Sequence, residues 1–165
     1  MQKTIYFCRD NNKLFYSGKA MEEQTKNIIF HHQTPAQLRF SDVDRFGHVN
    51  NSVYFSLFDM SKEKYFMDVV DGDMFHKVNI VVANINASFL APIYFPDEIV
   101  IQMAVTHLGN KSFTLKQRAV NNRTHEVKCE CSTVMVCVNP DTKESMPLPD
   151  YFKQRVRAFE GDNLL

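Results

Sequence analysis

The stretch FSDVDRFGHVNNSVYFSLFDMSKEKYF, Phe40 to Phe66, sets a cluster of short polar residues directly before a helical pattern. Two aspartates, a glycine, a histidine and two asparagines fall between Asp42 and Asn51. From Asn51 to about Val69 the spacing predicts a helix. Val53, Tyr54, Leu57, Phe58 and Met60 spread over a wide arc, and Ser56, Asp59 and Glu63 form a narrow polar strip. A helix apolar around most of its circumference belongs inside a fold rather than on its rim. Asp68, Asp71, Gly72 and Asp73 mark its end.

Downstream the pattern changes from helical to alternating. VNIVVANINASFLAPIYF (Val78–Phe95) reads as a strand interrupted near Pro92 and Pro96. In DEIVIQMAVTHL, Ile99, Ile101, Met103 and Val105 share one face, and Gln102 and Thr106 the other. GNKS then leads into FTLKQRAVN, and NNRTHE into HEVKCECSTVMVCVN. Tight turns between strands of this length predict an antiparallel meander. Upstream, HHQTPAQLRFS (His31–Ser41) reads as a strand with Pro35 at an edge position, and MPLPDYFKQRVRAF closes the chain with a short helix. The expected class is α+β: one long central helix wrapped by a curved antiparallel sheet, because only a sheet that curls can hide so apolar a helix. The division expected is an N-terminal appendage, residues 1–30, and one domain, residues 31–165. In the appendage TIYFC and KLFYS flank RDNN as a candidate hairpin, and Met21 is a plausible second chain start.

A chain of 165 residues with 44% hydrophobic and 23% charged residues suits one compact domain with its own core. Lys plus Arg and Asp plus Glu both number 19, so the basic excess of a nucleic-acid binder is missing. No apolar run is long enough to span a membrane, and Arg9 and Asp10 interrupt what would be a signal-peptide core, which points to the cytoplasm. Cys129, Cys131 and Cys137 share one parity in a single strand and read as buried thiols, with no second ligand pair to suggest a metal. No metal and no cofactor are expected.

Three readings compete for Asp42–Asn51. Asp, Asn and Gly form ordinary turns, and Asn before a helix is an ordinary cap. A calcium loop would use Asp42, Asp44 and Gly47, but Phe46 then falls on a ligand position and Val53 on that of the bidentate Glu. The third reading is a reaction centre. Hydrolysing a thioester takes a carboxylate, as nucleophile or as base to water, and donors for the developing oxyanion. The first N–H groups of a helix lack intrahelical partners and lie at its positive end. Those around Asn50, Asn51 and Ser52 are candidate donors, and the same field would favour an ionised Asp44. His48 would orient Asp44, bond the ligand or support the loop.

The motif D-x-D-x-x-G-H-V-N-N-x-x-Y formed by this stretch resembles that of the hotdog-fold thioesterases of the 4-hydroxybenzoyl-CoA thioesterase type. NASFLAPIYFPDEIVI and LGNKSFTL resemble two further pieces of the same family in the same order, and the likeness runs from about Thr34 to Phe152. The resemblance implies the hotdog fold and a hydrolase of acyl-thioesters carried by CoA or acyl carrier protein. It matches Asp44 to the catalytic carboxylate, Asn51 to the residue whose backbone N–H polarises the carbonyl, and Asp42 to a structural loop residue. Gly47 and Asn50 are expected to border the bound substrate, and Lys111 and Ser112 are candidates for the phosphate end of CoA. Phe46 replaces the Asn that plant acyl-carrier-protein thioesterases carry two residues before the His, which favours the simpler Asp chemistry. The resemblance further implies a homodimer or homotetramer. The competing function is a non-hydrolytic module that holds an acyl-thioester or an aromatic acid.

Overall fold

In the computed structural model, residues 28–70 and 79–164 are described. They form one antiparallel sheet with a long helix against it. The strands are β1 (His32–Ala36), β2 (Asn79–Phe89), β3 (Ile99–Leu108), β4 (Ser112–Asn121) and β5 (Val127–Val138), and the helices α1 (Asn51–Tyr65) and α2 (Asp150–Glu160). Strand order is β1-β3-β4-β5-β2. β3, β4 and β5 form the expected meander, but β2 pairs with β5 rather than with β3, which follows it in the chain. Alternation specifies which face of a strand is buried and says nothing about its neighbour.

Among the described residues β1 pairs only with β3, so Pro35 lies in an edge strand of the described sheet, as its missing N–H requires. α1 begins at Asn51, and its last turn widens into a π-helical turn over Phe66–Val70. The proposed helix-end residues Asp71, Gly72 and Asp73 lie outside the described residues, as do Cys8, Met21 and the candidate N-terminal hairpin. The helix is more one-sided than expected. Tyr54, Leu57, Phe58, Ser61, Lys62 and Tyr65 are buried, while Met60 is 43% exposed. Among the described residues, the sheet covers only one side of α1.

Two clusters fill the layer between helix and sheet. At the start of α1, Val49, Tyr54, Leu57 and Phe58 meet Ile93, Ile99, Ile101, Cys129 and Cys131. At its end, Tyr65, Phe66 and Val69 meet Met103, Val105, Phe113, Leu115, Cys137 and Phe152 of α2. All three thiols expected inside are buried. Beside the β3 bulge between Val105 and His107, the Val105 N–H donates to the buried Glu160 carboxylate at 2.8 Å, which also accepts the Tyr65 hydroxyl at 2.6 Å. Burying that carboxylate therefore leaves few of its acceptor sites unfilled.

Candidate active site

Residues 39–50 fold into a small closed loop at the start of α1. Asp42 closes it: its carboxylate accepts the Arg39 N–H at 2.7 Å and its carbonyl accepts the Asn50 N–H at 2.9 Å. Val43 and Val49 form an isolated bridge, and the Asp44 N–H donates to the His48 carbonyl. Inside this ring the Asp44 carbonyl accepts the Gly47 N–H, and Asp44 Oδ1 accepts the Phe46 N–H at 2.8 Å. Gly47 has φ +83°, where side chains are strained, although a Cβ there would meet nothing within 4 Å. The backbone conformation, not crowding, calls for glycine.

The second carboxylate oxygen of Asp44, Oδ2, lies 3.8 Å from His48 Nδ1. That is too long for a hydrogen bond and close enough for a charge contact when the imidazole is protonated. The His48 ring stacks on Phe46 with centroids 6.1 Å apart, and the Arg45 guanidinium lies 5.0 Å from the centre of the Phe46 ring. Asp44 and His48 keep 21% and 25% of their side-chain surface exposed, so solvent and ligand reach both.

Of the three candidate backbone donors, two are occupied. Asn50 gives its N–H to Asp42, and its side chain caps the helix by accepting the Ser52 N–H at 2.9 Å and the Ser52 hydroxyl at 2.7 Å. The Val53 N–H donates to the Asn50 carbonyl. The Asn51 N–H forms no hydrogen bond with any described residue. Asp44, Gly47, His48, Asn50 and Asn51 are thus gathered in one loop and one helix start.

Lys111 and Ser112 are not part of this group. The loop is fastened at Val49, whose N–H donates to the Ile93 carbonyl at 2.8 Å, near the start of β3. Lys111 lies in the turn beyond the other end of β3, a strand of 10 residues, hence about 30 Å away. Its ammonium donates to the Ser145 carbonyl at 2.9 Å and to the Ser145 hydroxyl at 3.3 Å. The described residues hold no group of three or more His, Cys, Asp or Glu placed to bind a metal ion, and no described helix is long and apolar enough to cross a membrane.

A long helix on a curved five-stranded antiparallel sheet is the hotdog fold, and solved structures share it. The model of the thioesterase-like superfamily matches residues 38–156, and the chain belongs to that superfamily. This match is broader than the 4-hydroxybenzoyl-CoA type that the motif resembles. The PA5185 protein of Pseudomonas aeruginosa is 25% identical with a TM-score of 0.74, over 81% of this chain and 94% of that one. A thioesterase of Thermus thermophilus, solved with coenzyme A and zinc, is 28% identical with a TM-score of 0.68, over 78% of this chain and 93% of its own. The probable thioesterase YbaW of Escherichia coli shares the fold at 22% identity and a TM-score of 0.67, over 79% of this chain and 99% of its own. No curated protein sequence matches significantly.

By its helical spacing Tyr54 counts as one more apolar residue of α1. Its hydroxyl instead accepts the Ile93 N–H at 3.2 Å. The available signal was that a Tyr, not a Phe, closes the motif.

Proposed function

We propose that this protein hydrolyses acyl-thioesters of CoA or of acyl carrier protein, with Asp44 as the reacting carboxylate. The observation that carries the reading is the division of labour around the loop. Asp44 Oδ1 is held by a backbone N–H, Oδ2 remains available, and the Asn51 N–H at the helix start has no partner among the described residues. A thioester carbonyl oxygen accepting the Asn51 N–H would develop its negative charge at the positive end of α1. Asp44 Oδ2 then either attacks the carbonyl carbon, giving an acyl anhydride and free thiolate, or takes a proton from the water that attacks. His48 borders Oδ2, with its Nδ1 3.8 Å away.

The superfamily match supports thioester hydrolysis, and the Thermus thermophilus thioesterase solved with coenzyme A supports CoA as a carrier. The working unit is a homodimer at least, with a homotetramer as its doubled form, and the reaction needs neither metal nor dissociable cofactor.

The test is release of free thiol from a panel of acyl-CoA and acyl-carrier-protein thioesters of increasing chain length, including aromatic acyl groups. Turnover of at least one class, retained after dialysis against a chelator, is the expected result. Tight binding of acyl-CoA with no thiol release from any donor would replace hydrolysis with the non-hydrolytic binding function.

A further inference from the structure

One buried peptide group joins the loop that bears Asp44 to the helix that bears the Asn51 N–H. The Ile93 carbonyl accepts the Val49 N–H at 2.8 Å, and the Ile93 N–H donates to the Tyr54 hydroxyl at 3.2 Å. Val49, Tyr54 and Ile93 are 1%, 2% and 0% exposed, so water does not compete for either bond. From Val49 the connection runs to the site through the chain itself. Val49 is bridged to Val43, and the neighbouring His48 carbonyl accepts the Asp44 N–H. On the other side Tyr54 belongs to the first turns of α1, beside Asn51. The aromatic ring of Tyr54 is held independently, edge-on to Phe89 at 5.2 Å.

From this geometry we propose that Tyr54 is a positioning residue. Its hydroxyl fixes the Ile93 peptide and so sets the Asp44 carboxylate relative to the Asn51 N–H. The inference rests on the thioesterase reading for its kinetic part only. Burial raises the Tyr54 phenol to about 12, so the hydroxyl stays neutral through the physiological range and the Ile93 N–H always meets the same acceptor. Reacting groups need placing to within fractions of an ångström, and a displacement of about 1 Å can cost about a hundred-fold in rate.

Tyr54→Phe keeps the ring on Phe89 and removes only the acceptor. The experiment compares wild type, Tyr54→Phe, Asp44→Asn and the double variant, in steady-state turnover of the best thioester and in amide hydrogen exchange. Tyr54→Phe is expected to lower kcat about ten-fold with KM nearly unchanged. It should add no further loss in the Asp44→Asn background, because a group that acts through Asp44 has nothing left to position. The Ile93, Val49 and Asp44 amides should exchange faster, and those of the distant Leu115 and Met103 should not. An equal fractional loss with and without the Asp44 carboxylate, or unaltered exchange at Val49 and Asp44, overturns the positioning role. If the wild type releases no thiol, the hydrolytic reading fails, and the exchange pattern alone decides whether Tyr54 holds the loop.

Discussion

Asp42 accepts the Arg39 N–H through its carboxylate and the Asn50 N–H through its carbonyl, so its polar groups serve to close the loop. Asp44, two residues on, keeps one carboxylate oxygen free of the loop's own bonds. Replacing each by Asn separates the two roles, since Asn keeps an acceptor and loses the charge. Asp44→Asn is expected to lower kcat by about two to four orders of magnitude, the usual worth of a general base, with a near wild-type melting temperature. Asp42→Asn should hold kcat within a few-fold and lower stability by about 1 kcal/mol, a shift of about 3 °C in Tm. Turnover and calorimetry of both variants check this, and an Asp44→Asn enzyme as fast as wild type returns the loop to a plain turn. That Asp42 belongs to the loop is what the family resemblance implies, since the spacing D-x-D-x-x-G does not by itself tell the two aspartates apart. Which N–H stays free was not legible in the sequence. The Asn50 side chain caps the helix at Ser52, and no spacing rule distinguishes a capping Asn from a binding one.

Along β5 every second residue from Cys129 to Cys137 points into the helix–sheet layer, and the three cysteines among them are buried. That parity could be read from HEVKCECSTVMVCVN, because an alternating strand has only two faces. The pairing of β5 with β2 could not, since the two are separated by two other strands in the chain and no local pattern encodes the crossover. Burial in this layer has a consequence at alkaline pH. Loss of solvation pushes the Cys129 thiol from its ordinary 9.0 to about 12, and raises Cys131 and Cys137 as well. The Tyr54 phenol moves the same way, from 10.0 to about 12. In each case the folded state keeps its proton while the unfolded chain begins to lose it. Stability is therefore complete below the ordinary pKa values and falls as pH rises from 9.0 towards 12. The melting temperature should drop between about pH 9 and about pH 12, and less steeply in Cys129→Ala. A melting temperature that stays level over that range would contradict the burial of these groups.

At the scale of the whole molecule the open question in one protomer is the distance between Asp44 and Lys111. Among the described strands β2 lies at an edge, and its Val81, Val82 and Ile85 are 42%, 47% and 40% exposed, an apolar edge that invites pairing. Its Phe89 end lies at the start of α1, through contacts with Tyr54 and Phe55. Its Asn79 end pairs with Val138, next to Cys137, whose N–H donates to the Lys111 carbonyl. Antiparallel pairing of two β2 strands about a two-fold axis would lay the Asn79 end of one copy beside the Phe89 end of the other. Lys111 of the second copy would then approach the loop that bears Asp44, where the phosphates of a bound CoA could meet it. The sequence contained both halves of this arrangement, HVNN and GNKS, but an intermolecular distance has no trace in the order of residues along one chain. Two substitutions test the arrangement together. Ile85→Lys puts a charge on the pairing edge and should give a monomer by light scattering, with reduced turnover of acyl-CoA. Lys111→Ala should leave the dimer intact and raise KM for acyl-CoA about ten-fold, the value of one charge-assisted bond to phosphate. The same variant should leave KM unchanged for the matching acyl-pantetheine, which lacks the nucleotide. If the wild-type protein is a fully active monomer, or Lys111→Ala affects both thioesters equally, then a second copy does not complete the CoA site.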